Sequence, residues 1–241
     1  MMLLRSVVYT VLMWTSVLLY APLMLFTAPL PFSWRYGAIT AWARFYIWLA
    51  RWFLGIEYRI EGREHLPQGA AVVLAKHQSV WETLAFQEIF PPHVWVLKRE
   101  LLWLPLFGWA LGLLRPIAID RSAGRFALDQ IVAQGRERLD GGTWVMVFPE
   151  GTRVAPGHKR PYKKGGAVLA VETGYPVVPV AHNAGHFWPR RRVLKRPGTI
   201  HVVIGPAIAT KGKTAASVLK QAETWIEHTM ARLDAEAAAK R

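Results

Sequence analysis

The N-terminal region contains an uncharged, strongly apolar stretch at positions 6–34. About 20 consecutive apolar residues are enough for a helix to span the hydrocarbon core of a bilayer, so this stretch is long enough to belong in lipid. Because proline removes a backbone donor and clashes with the preceding turn, Pro22, Pro29 and Pro31 predict a kink or a re-entrant turn rather than one straight helix. A cleaved signal peptide is the alternative, although its apolar region usually spans only about 7 to 15 residues.

The next segment, 36–55, has apolar side chains at spacings of three, four and seven, which is typical of one helix face. These residues are Trp42, Phe45, Tyr46, Leu49, Trp52 and Phe53. Aromatic rings near Arg44 and Arg51 suit the headgroup boundary, so the segment predicts a helix lying in the membrane interface. A core helix of a soluble protein is the alternative. Together the two segments predict membrane-anchoring helices over 1–56, followed by a separate domain over 57–241.

The remainder of the chain alternates between short β-rich runs and helical patterns. Strands are predicted at 70–75, 94–97, 116–119, 143–148, 176–180 and 200–204. Apolar periodicity predicts helices over 123–140 and 214–237. This alternation is typical of an α/β fold in which helices cover a mixed sheet. The apolar stretch 101–114 is either core or a second lipid-facing patch, and we expect it to be partly exposed to lipid.

The composition limits the possible partners and chemistry. A formal net charge of +14 indicates an anionic partner: nucleic acid, an acidic bilayer or a phosphorylated substrate. The absence of cysteine excludes disulfides, thiolate metal sites and a cysteine nucleophile. No G-x-S-x-G motif is present, which weighs against a serine lipase or esterase. His182 and His186 have a metal-ligand spacing but no adjacent acidic ligand, so we expect no metal site.

Four stretches beside predicted strand ends carry polar chemistry. They are KHQSVWET (76–83), RPIAIDR (115–121), FPEGTR (148–153) and YPVVPVAHNAG (175–185). Open α/β sheets bind ligands at the carboxyl ends of their strands, so this placement predicts a binding site. In FPEGTR, the fork of donors on Arg153 suits a phosphate, with Gly151 and Thr152 beside it. A strand-ending turn with a surface salt bridge is the alternative.

The stretch KHQSVWET places a histidine and a carboxylate five positions apart. His77 suits general-base work because the ordinary pKa of histidine is about 6.5, and Glu82 would fix its tautomer. The competing interpretation is a capping box, in which Ser79 accepts from the amide of Glu82 and the Glu82 carboxylate reaches back to the amide of Ser79. The spacing alone favours the cap.

Taken together, the four stretches resemble the lysophosphatidic acid (1-acyl-sn-glycerol-3-phosphate) acyltransferase family of the glycerolipid acyltransferase superfamily. The resemblance covers about 69–206. The family's first block has an aspartate five positions after its histidine, and here His77 matches but Glu82 replaces the aspartate. The second block matches at 119–121, the third at FPEGTR and the fourth at 178–180.

The resemblance implies transfer of an acyl group from coenzyme A or acyl-carrier protein to the sn-2 hydroxyl of lysophosphatidic acid, giving phosphatidic acid. His77 would act as the general base and Glu82 would orient it. Substrate binding is implied for Lys98, Arg121, Glu150, Gly151, Thr152 and Arg153, with Lys98 assigned from position only. The reaction needs no metal and no cofactor besides the thioester co-substrate.

The expected location is the bacterial inner membrane, with the domain over 57–241 as an acyltransferase domain on the cytoplasmic side. The expected partners are lysophosphatidic acid, the acyl donor and anionic membrane lipid, without nucleic acid. Two other functions stay open. One is an acyltransferase of the same superfamily that uses another lysolipid acceptor, and the other is a membrane-tethered basic module that binds lipid or nucleic acid.

Overall fold

The chain folds around a seven-stranded mixed sheet, as seen in a computed structural model that describes residues 1–120 and 123–239. The strands are β1 Ile56–Glu61, β2 Val72–Ala75, β3 His93–Lys98, β4 Ile117–Ile119, β5 Trp144–Val147, β6 Val177–His182 and β7 Gly198–Ile204. The α-helices are α1 Met2–Leu25, α2 Phe32–Leu49, α3 Trp81–Ile89, α4 Phe107–Gly112, α5 Arg125–Asp140, α6 Gly165–Thr173, α7 Ala184–Phe187 and α8 Ala215–Ala239. A π-helical turn, Ala50–Leu54, extends α2, and 3₁₀ turns lie at Arg63–His65 and Arg99–Trp103.

The spatial order of the strands is β1-β7-β6-β2-β5-β3-β4. All neighbours pair in parallel except β6 and β7, which are antiparallel. The central strands β2, β5 and β6 are buried along their whole length, which explains their continuous apolar sequences. The predicted mixed α/β fold is therefore confirmed. Since β2, β5 and β3 run in the same direction, their carboxyl ends meet at one edge of the sheet.

One strand, β1, was not predicted from the sequence. β1 pairs with β7, and its side chains alternate between buried or half-buried and exposed positions, with charged residues on the exposed face. This is the pattern of a strand with one solvated side rather than of a buried central strand. The six predicted strands are all present, with ends shifted by a few residues.

Helices pack on both faces of the sheet and form two hydrophobic clusters. One cluster lies on the side of α5, α6 and α8. The other contains residues of α1, α2 and α3, including Tyr9 and Tyr46, whose rings meet edge to face at a centroid distance of 5.7 Å. The N-terminal helices therefore share a core with the sheet, and the proposed division of the chain after position 56 stays a prediction.

The N-terminal apolar stretch forms a helical hairpin. α1 continues through Pro22 and ends at Leu25, and Pro31 immediately precedes α2. The prediction that prolines prevent a single straight helix is confirmed. α1 has a mean hydropathy of 1.7 and is long and apolar enough to cross a membrane, but its length and composition alone do not show that it does.

The aromatic face predicted for segment 36–55 is divided between protein and solvent. Tyr46 is buried in the core, and Trp42 packs partly against it, so the interpretation of this stripe as lipid-facing is wrong for these two residues. Phe45 and Trp52 are exposed, as are Trp48, elsewhere on the same segment, and Trp34, which precedes it. In the stretch 101–114, five large apolar side chains are exposed, and the expectation that they contact lipid stays a prediction: Leu101, Trp103, Leu104, Phe107 and Trp109.

Candidate active site

The imidazole of His77 and the carboxylate of Glu82 are hydrogen-bonded, with 2.9 Å between Nδ1 and Oε1. His77 lies in the loop that follows β2, at the carboxyl edge of the sheet, and Glu82 lies in the first turn of α3. A carboxylate can only accept this bond, so Nδ1 carries the proton and Nε2 keeps its lone pair. The side chain of His77 is 13% exposed, so the base is largely buried but still accessible.

Glu82 also closes the start of α3. Its Oε1 atom accepts the backbone amides of Gln78 at 2.7 Å and Ser79 at 2.6 Å, in addition to His77. The backward half of the predicted capping box is therefore present. The forward half differs, because the Ser79 hydroxyl accepts from the amide of Trp81 at 3.1 Å rather than from that of Glu82. One carboxylate oxygen both caps the helix and orients the histidine, so the two interpretations of this stretch are compatible.

The environment keeps Glu82 ionised although its side chain is fully buried. Burial alone would raise the pKa of this carboxyl. The hydrogen bonds that Glu82 accepts from His77 and the Ser79 amide help to outweigh burial, and the pKa lies below its ordinary value. A negative charge thus lies next to Nδ1 of His77, where it would stabilise the imidazolium that forms when Nε2 takes a proton.

An aromatic ring fixes the plane of the His77 imidazole. Phe148 stacks on it with a centroid distance of 3.8 Å and an interplanar angle of 8°. Trp95 stacks in turn on Phe148 at 5.1 Å. The hydrogen bond at Nδ1 and the stacked ring together leave His77 little rotational freedom. This preorganises Nε2 toward the open side of the site.

The FPEGTR stretch turns sharply after β5. The amide of Gly151 donates to the carbonyl of Phe148 at 3.0 Å, and Gly151 has φ of +67°, a left-handed conformation that glycine adopts without strain. Thr152 and Arg153 follow and are half-buried. The loop is held to the first block, because the amide of Val154 donates to the carbonyl of His77 at 2.7 Å.

Glu150 points into the protein rather than toward the opening of the site. It is 1% exposed, and its Oε2 atom accepts the backbone amide of His77 at 3.0 Å. Its Oε1 atom lies 2.7 Å from Nζ of the buried Lys76. The structure thus gives Glu150 a position behind the loop, and its predicted part in substrate binding stays a prediction.

Lys76 joins the site to the C-terminal helix. Its Nζ atom lies 2.9 Å from Oε1 of Glu227 in α8, and the same oxygen accepts the Tyr162 hydroxyl at 2.9 Å. Burial alone would lower the pKa of Lys76, but the hydrogen bonds and charges of Glu150 and Glu227 raise it. We call Lys76, Glu150, Tyr162 and Glu227 the buried ionic cluster.

The guanidinium group of Arg153 is available for an anion. The side chain is half-buried, and within the described part of the chain no carboxylate forms an ion pair with it. Its backbone carbonyl accepts a hydrogen bond from Nη1 of Arg190 at 2.5 Å, which fixes the end of the loop. A half-buried, unpaired arginine beside a glycine turn is a suitable phosphate anchor.

Lys98 and Arg121 are the two other cations that were predicted to bind substrate. Lys98 ends β3, its side chain is half-exposed, and its Nζ atom pairs with Glu100 at 2.9 Å. This ion pair would have to open before Lys98 could bind a phosphate. Arg121 lies outside the described residues, so the prediction for it stays untested.

A cavity of about 690 Å³ opens beside the FPEGTR turn, between the sheet edge and helices α5 and α6. Its walls are mainly apolar and include Val96, Ile119, Leu128 and Ile131. Phe148, which stacks on His77, also lines it. The hydrogen-bonded pair of His77 and Glu82 therefore lies next to a cavity of a size that is usual for ligand sites.

Both ring nitrogens of His182 are hydrogen-bonded to the backbone, so His182 does not resemble a metal ligand. It is fully buried, and its Nε2 atom lies 2.8 Å from the carbonyl of Lys76, so Nε2 donates. Its Nδ1 atom accepts the amide of Ala184 at 3.3 Å. Burial lowers the pKa of His182, which favours the neutral ring. Among the described residues, no group of acidic, histidine or cysteine side chains suits a metal ion.

Comparison with known proteins shows the family to which this chain belongs. The family model "Acyltransferase" matches residues 57–183. A 1-acyl-sn-glycerol-3-phosphate acyltransferase of Pseudomonas aeruginosa is 47% identical over 95% of this chain and 91% of its own length. The chain belongs to the 1-acyl-sn-glycerol-3-phosphate acyltransferase family. The family and enzyme class predicted from the four blocks are thereby confirmed.

Other members of the acyltransferase family are more distant. The mouse 1-acyl-sn-glycerol-3-phosphate acyltransferase alpha is 32% identical over 75% of this chain and 65% of its own length. The crystal structure of a 1-acyl-sn-glycerophosphate acyltransferase from Thermotoga maritima superposes with a TM-score of 0.78 over 97% of this chain and 96% of that one, at 24% identity. This likeness confirms the acyltransferase fold.

Sequence reasoning missed two groups of site residues. Lys76 and Phe148 lie inside quoted blocks, but nothing in the sequence indicates that one is buried with carboxylates or that the other stacks on His77. Glu227 and Arg190 come from distant parts of the chain, and no local spacing connects them with the site. Only the fold brings them to it.

Proposed function

We propose that the protein transfers a fatty acyl group from a thioester to the sn-2 hydroxyl of lysophosphatidic acid, giving phosphatidic acid. The observation that carries this proposal is the hydrogen-bonded pair of His77 and Glu82, whose Nε2 atom is left free to accept a proton. The names and extents of the relatives support the same acceptor.

The reaction requires one base. Nε2 of His77 takes the hydroxyl proton while the oxygen attacks the thioester carbonyl, and Glu82 stabilises the resulting imidazolium. The tetrahedral intermediate collapses, the carbon–sulfur bond breaks, and the imidazolium returns its proton to the leaving thiolate. Acyl transfer is direct, in agreement with the absence of cysteine from the chain.

The two substrates need different surroundings. Arg153 would bind the phosphate of lysophosphatidic acid, with Gly151 and Thr152 in the same turn and Arg121 as a further predicted contact. The cavity beside Phe148 suits an acyl chain along its apolar wall of Val96, Ile119, Leu128 and Ile131, while Lys163 and Lys164 line its polar part. The donor carries its thioester on coenzyme A or on acyl-carrier protein.

The position of α1 supports attachment to one membrane leaflet. Near its start, the Ser6 hydroxyl accepts the amide of Lys195 at 3.0 Å. Near its end, Val17 and Ala21 pack with Ala110 of α4. Both halves of the helix thus contact the same folded unit, while its other face is exposed and apolar, including Leu12, Leu18 and Leu19. In this proposal the hairpin is immersed in the cytoplasmic leaflet of the bacterial inner membrane, where acyl donors and anionic lipid are present.

The test is an assay of free thiol with the purified protein in detergent micelles, given oleoyl-coenzyme A and lysophosphatidic acid. The protein contributes no thiol of its own, so released coenzyme A is measured without background. We expect release that depends on the acceptor, phosphatidic acid by mass spectrometry, and loss of both in His77→Ala.

Two controls separate the alternatives. Other lysolipids as acceptors test the acceptor assignment, and Arg153→Ala should raise the KM for lysophosphatidic acid more than kcat falls. Thiol release that ignores the acceptor would indicate a thioesterase, and absence of release with thioesters of coenzyme A and acyl-carrier protein would contradict the enzyme proposal.

A further inference from the structure

A second cavity, of about 510 Å³, lies on the other side of the FPEGTR loop. Three arginines line it, Arg190, Arg192 and Arg196, together with apolar groups of Pro156 and Leu194. We call this the arginine pocket. It shares no lining residue with the apolar cavity beside Phe148.

The arginine pocket has an excess of positive charge. Within residues 1–120 and 123–239, no carboxylate forms an ion pair with any of the three guanidinium groups. The carboxylate in the wall, Asp234, is already held by His186, with 2.7 Å between Nε2 and Oδ1, and by the amide of Gly157 at 3.3 Å. Unpaired guanidinium groups around a concavity favour a ligand with several phosphate oxygens.

Short contacts join the arginine pocket to the catalytic residues. Arg190 donates to the carbonyl of Arg153, and the wall 155–157 follows directly after Val154, whose amide is bonded to His77. Next to Pro156, the amide of Gly185 donates to the side chain of Gln78 at 3.0 Å. The arginine pocket therefore adjoins the loop that carries His77 and Gln78.

We propose that the arginine pocket binds the phosphate groups of the coenzyme A part of the acyl donor. This inference rests on the proposed function, which requires a thioester donor. Coenzyme A combines a phosphorylated adenosine with a long pantetheine arm, so its phosphates bind at a distance from the reacting carbonyl. The pocket supplies guanidinium groups for the phosphates and apolar walls for the nucleoside, and its volume is usual for a small-molecule site.

The shape of the site favours coenzyme A over acyl-carrier protein. The arginines face a concave pocket rather than a broad flat surface, which an acidic protein would need for docking. In the proposed function, Arg153 binds the phosphate of lysophosphatidic acid. Arg153 lies on the loop between the two cavities.

The test uses the full-length protein and two double variants with equal loss of charge. Arg192→Gln/Arg196→Gln removes two pocket cations, and the control Arg160→Gln/Arg191→Gln removes two exposed arginines that do not line the pocket. Arg190 is left intact because it holds the FPEGTR loop. We expect the pocket variant to raise the KM for oleoyl-coenzyme A roughly 10-fold, the range for losing charge-assisted contacts, with kcat and the KM for lysophosphatidic acid unchanged.

Donor truncation gives the second measurement. With an oleoyl-pantetheine donor, which lacks the adenosine and its phosphates, the pocket variant and the wild-type protein should have the same KM. Adenosine 3′,5′-bisphosphate should bind the wild-type protein in calorimetry, compete with oleoyl-coenzyme A, and bind the pocket variant at least about 10-fold more weakly.

Three other outcomes would overturn the inference. A rise in the KM for lysophosphatidic acid alone would assign the pocket to the acceptor, and a defect confined to acyl-carrier protein donors would make it a protein-docking site. Equal effects of both double variants would reduce it to general surface charge. If adenosine 3′,5′-bisphosphate binds through Arg192 and Arg196 while no acyl transfer occurs, the pocket assignment survives and the proposed function fails.

Discussion

Oε1 of Glu82 accepts a hydrogen bond from Nδ1 of His77 at 2.9 Å while it also accepts the amides that begin α3. The orientation of the base therefore depends on the same atom that starts the helix. A change at position 82 affects two properties, and they can be separated by the choice of substitution.

Glu82→Gln should keep the helix start and lose the charge. Glutamine still offers an oxygen to the amides of Gln78 and Ser79, but it does not stabilise an imidazolium. We expect kcat to fall about 10- to 1,000-fold, the range for weakened acid–base assistance. Circular dichroism and urea unfolding should stay near wild type. Glu88→Gln, an exposed change on the same helix, is the control, and a fully active Glu82→Gln protein would leave Glu82 with a structural role only.

The stability of the protein should depend on pH through His93. Burial lowers the pKa of His93 to about 4 from 6.5, and its Nδ1 atom donates to the carbonyl of Pro91 at 3.0 Å. Between these two pH values the unfolded chain binds a proton that the native state does not, so stability falls as pH falls. The shift corresponds to about 3 kcal/mol, lost progressively from pH 6.5 to about 4.

His93→Gln should flatten this part of the profile. Urea unfolding of both proteins from pH 7.5 to about 4 measures it, and the difference between them isolates His93 from other titrating groups. Parallel profiles would show that His93 does not carry the effect. The comparison needs no enzyme assay.

Lys76→Met should destabilise the protein strongly, because it leaves the buried Glu150 without its cation and leaves Glu227 with only the more distant Lys159, at 3.8 Å. Removing one partner of a buried ion pair typically costs about 3 kcal/mol or more. Arg232→Met breaks the exposed pair with Glu61 and should cost less than about 1 kcal/mol. Similar unfolding midpoints for the two variants would contradict the importance of the buried ionic cluster.

Gly151→Ala should affect catalysis as well as stability. A β-carbon at φ of +67° costs about 1 kcal/mol, and here it would also lie 3.3 Å from the side chain of Lys163. Gly142 has φ of +76° with no atom within 4 Å of a β-carbon, so Gly142→Ala has the same backbone cost away from the site. We expect similar losses of stability and a raised KM for lysophosphatidic acid only in Gly151→Ala. Equal KM values for the two variants would contradict a role of Gly151 in binding lysophosphatidic acid.

The sequence predicted the fold well where local patterns carry the information. Continuous apolar runs indicated β2, β5 and β6 because these strands are buried on both sides. β1 was missed because its charged residues alternate with apolar ones. The aromatic stripe of segment 36–55 was assigned to lipid, but Tyr46 packs against Tyr9, a contact that no periodicity reveals.

The candidate site was predictable only where its residues are close together in the sequence. His77 and Glu82 are five positions apart, so one turn of chain brings them together. Lys76 and Glu227 are separated by 151 positions, and Arg190 reaches Arg153 across 37. Neither contact has a local signature. The structure was needed to show that Glu150 faces Lys76 rather than the opening of the site.

The contact between Lys76 and Glu227 also has a consequence for biosynthesis. The apolar hairpin precedes the strands of the sheet along the chain and is therefore synthesised before them. Glu227 emerges late, with α8, and only then does Lys76 gain its second carboxylate behind the catalytic loop. If the hairpin is immersed in a bilayer as proposed, membrane attachment would therefore precede completion of the buried ionic cluster, and the chain would finish folding at the membrane surface.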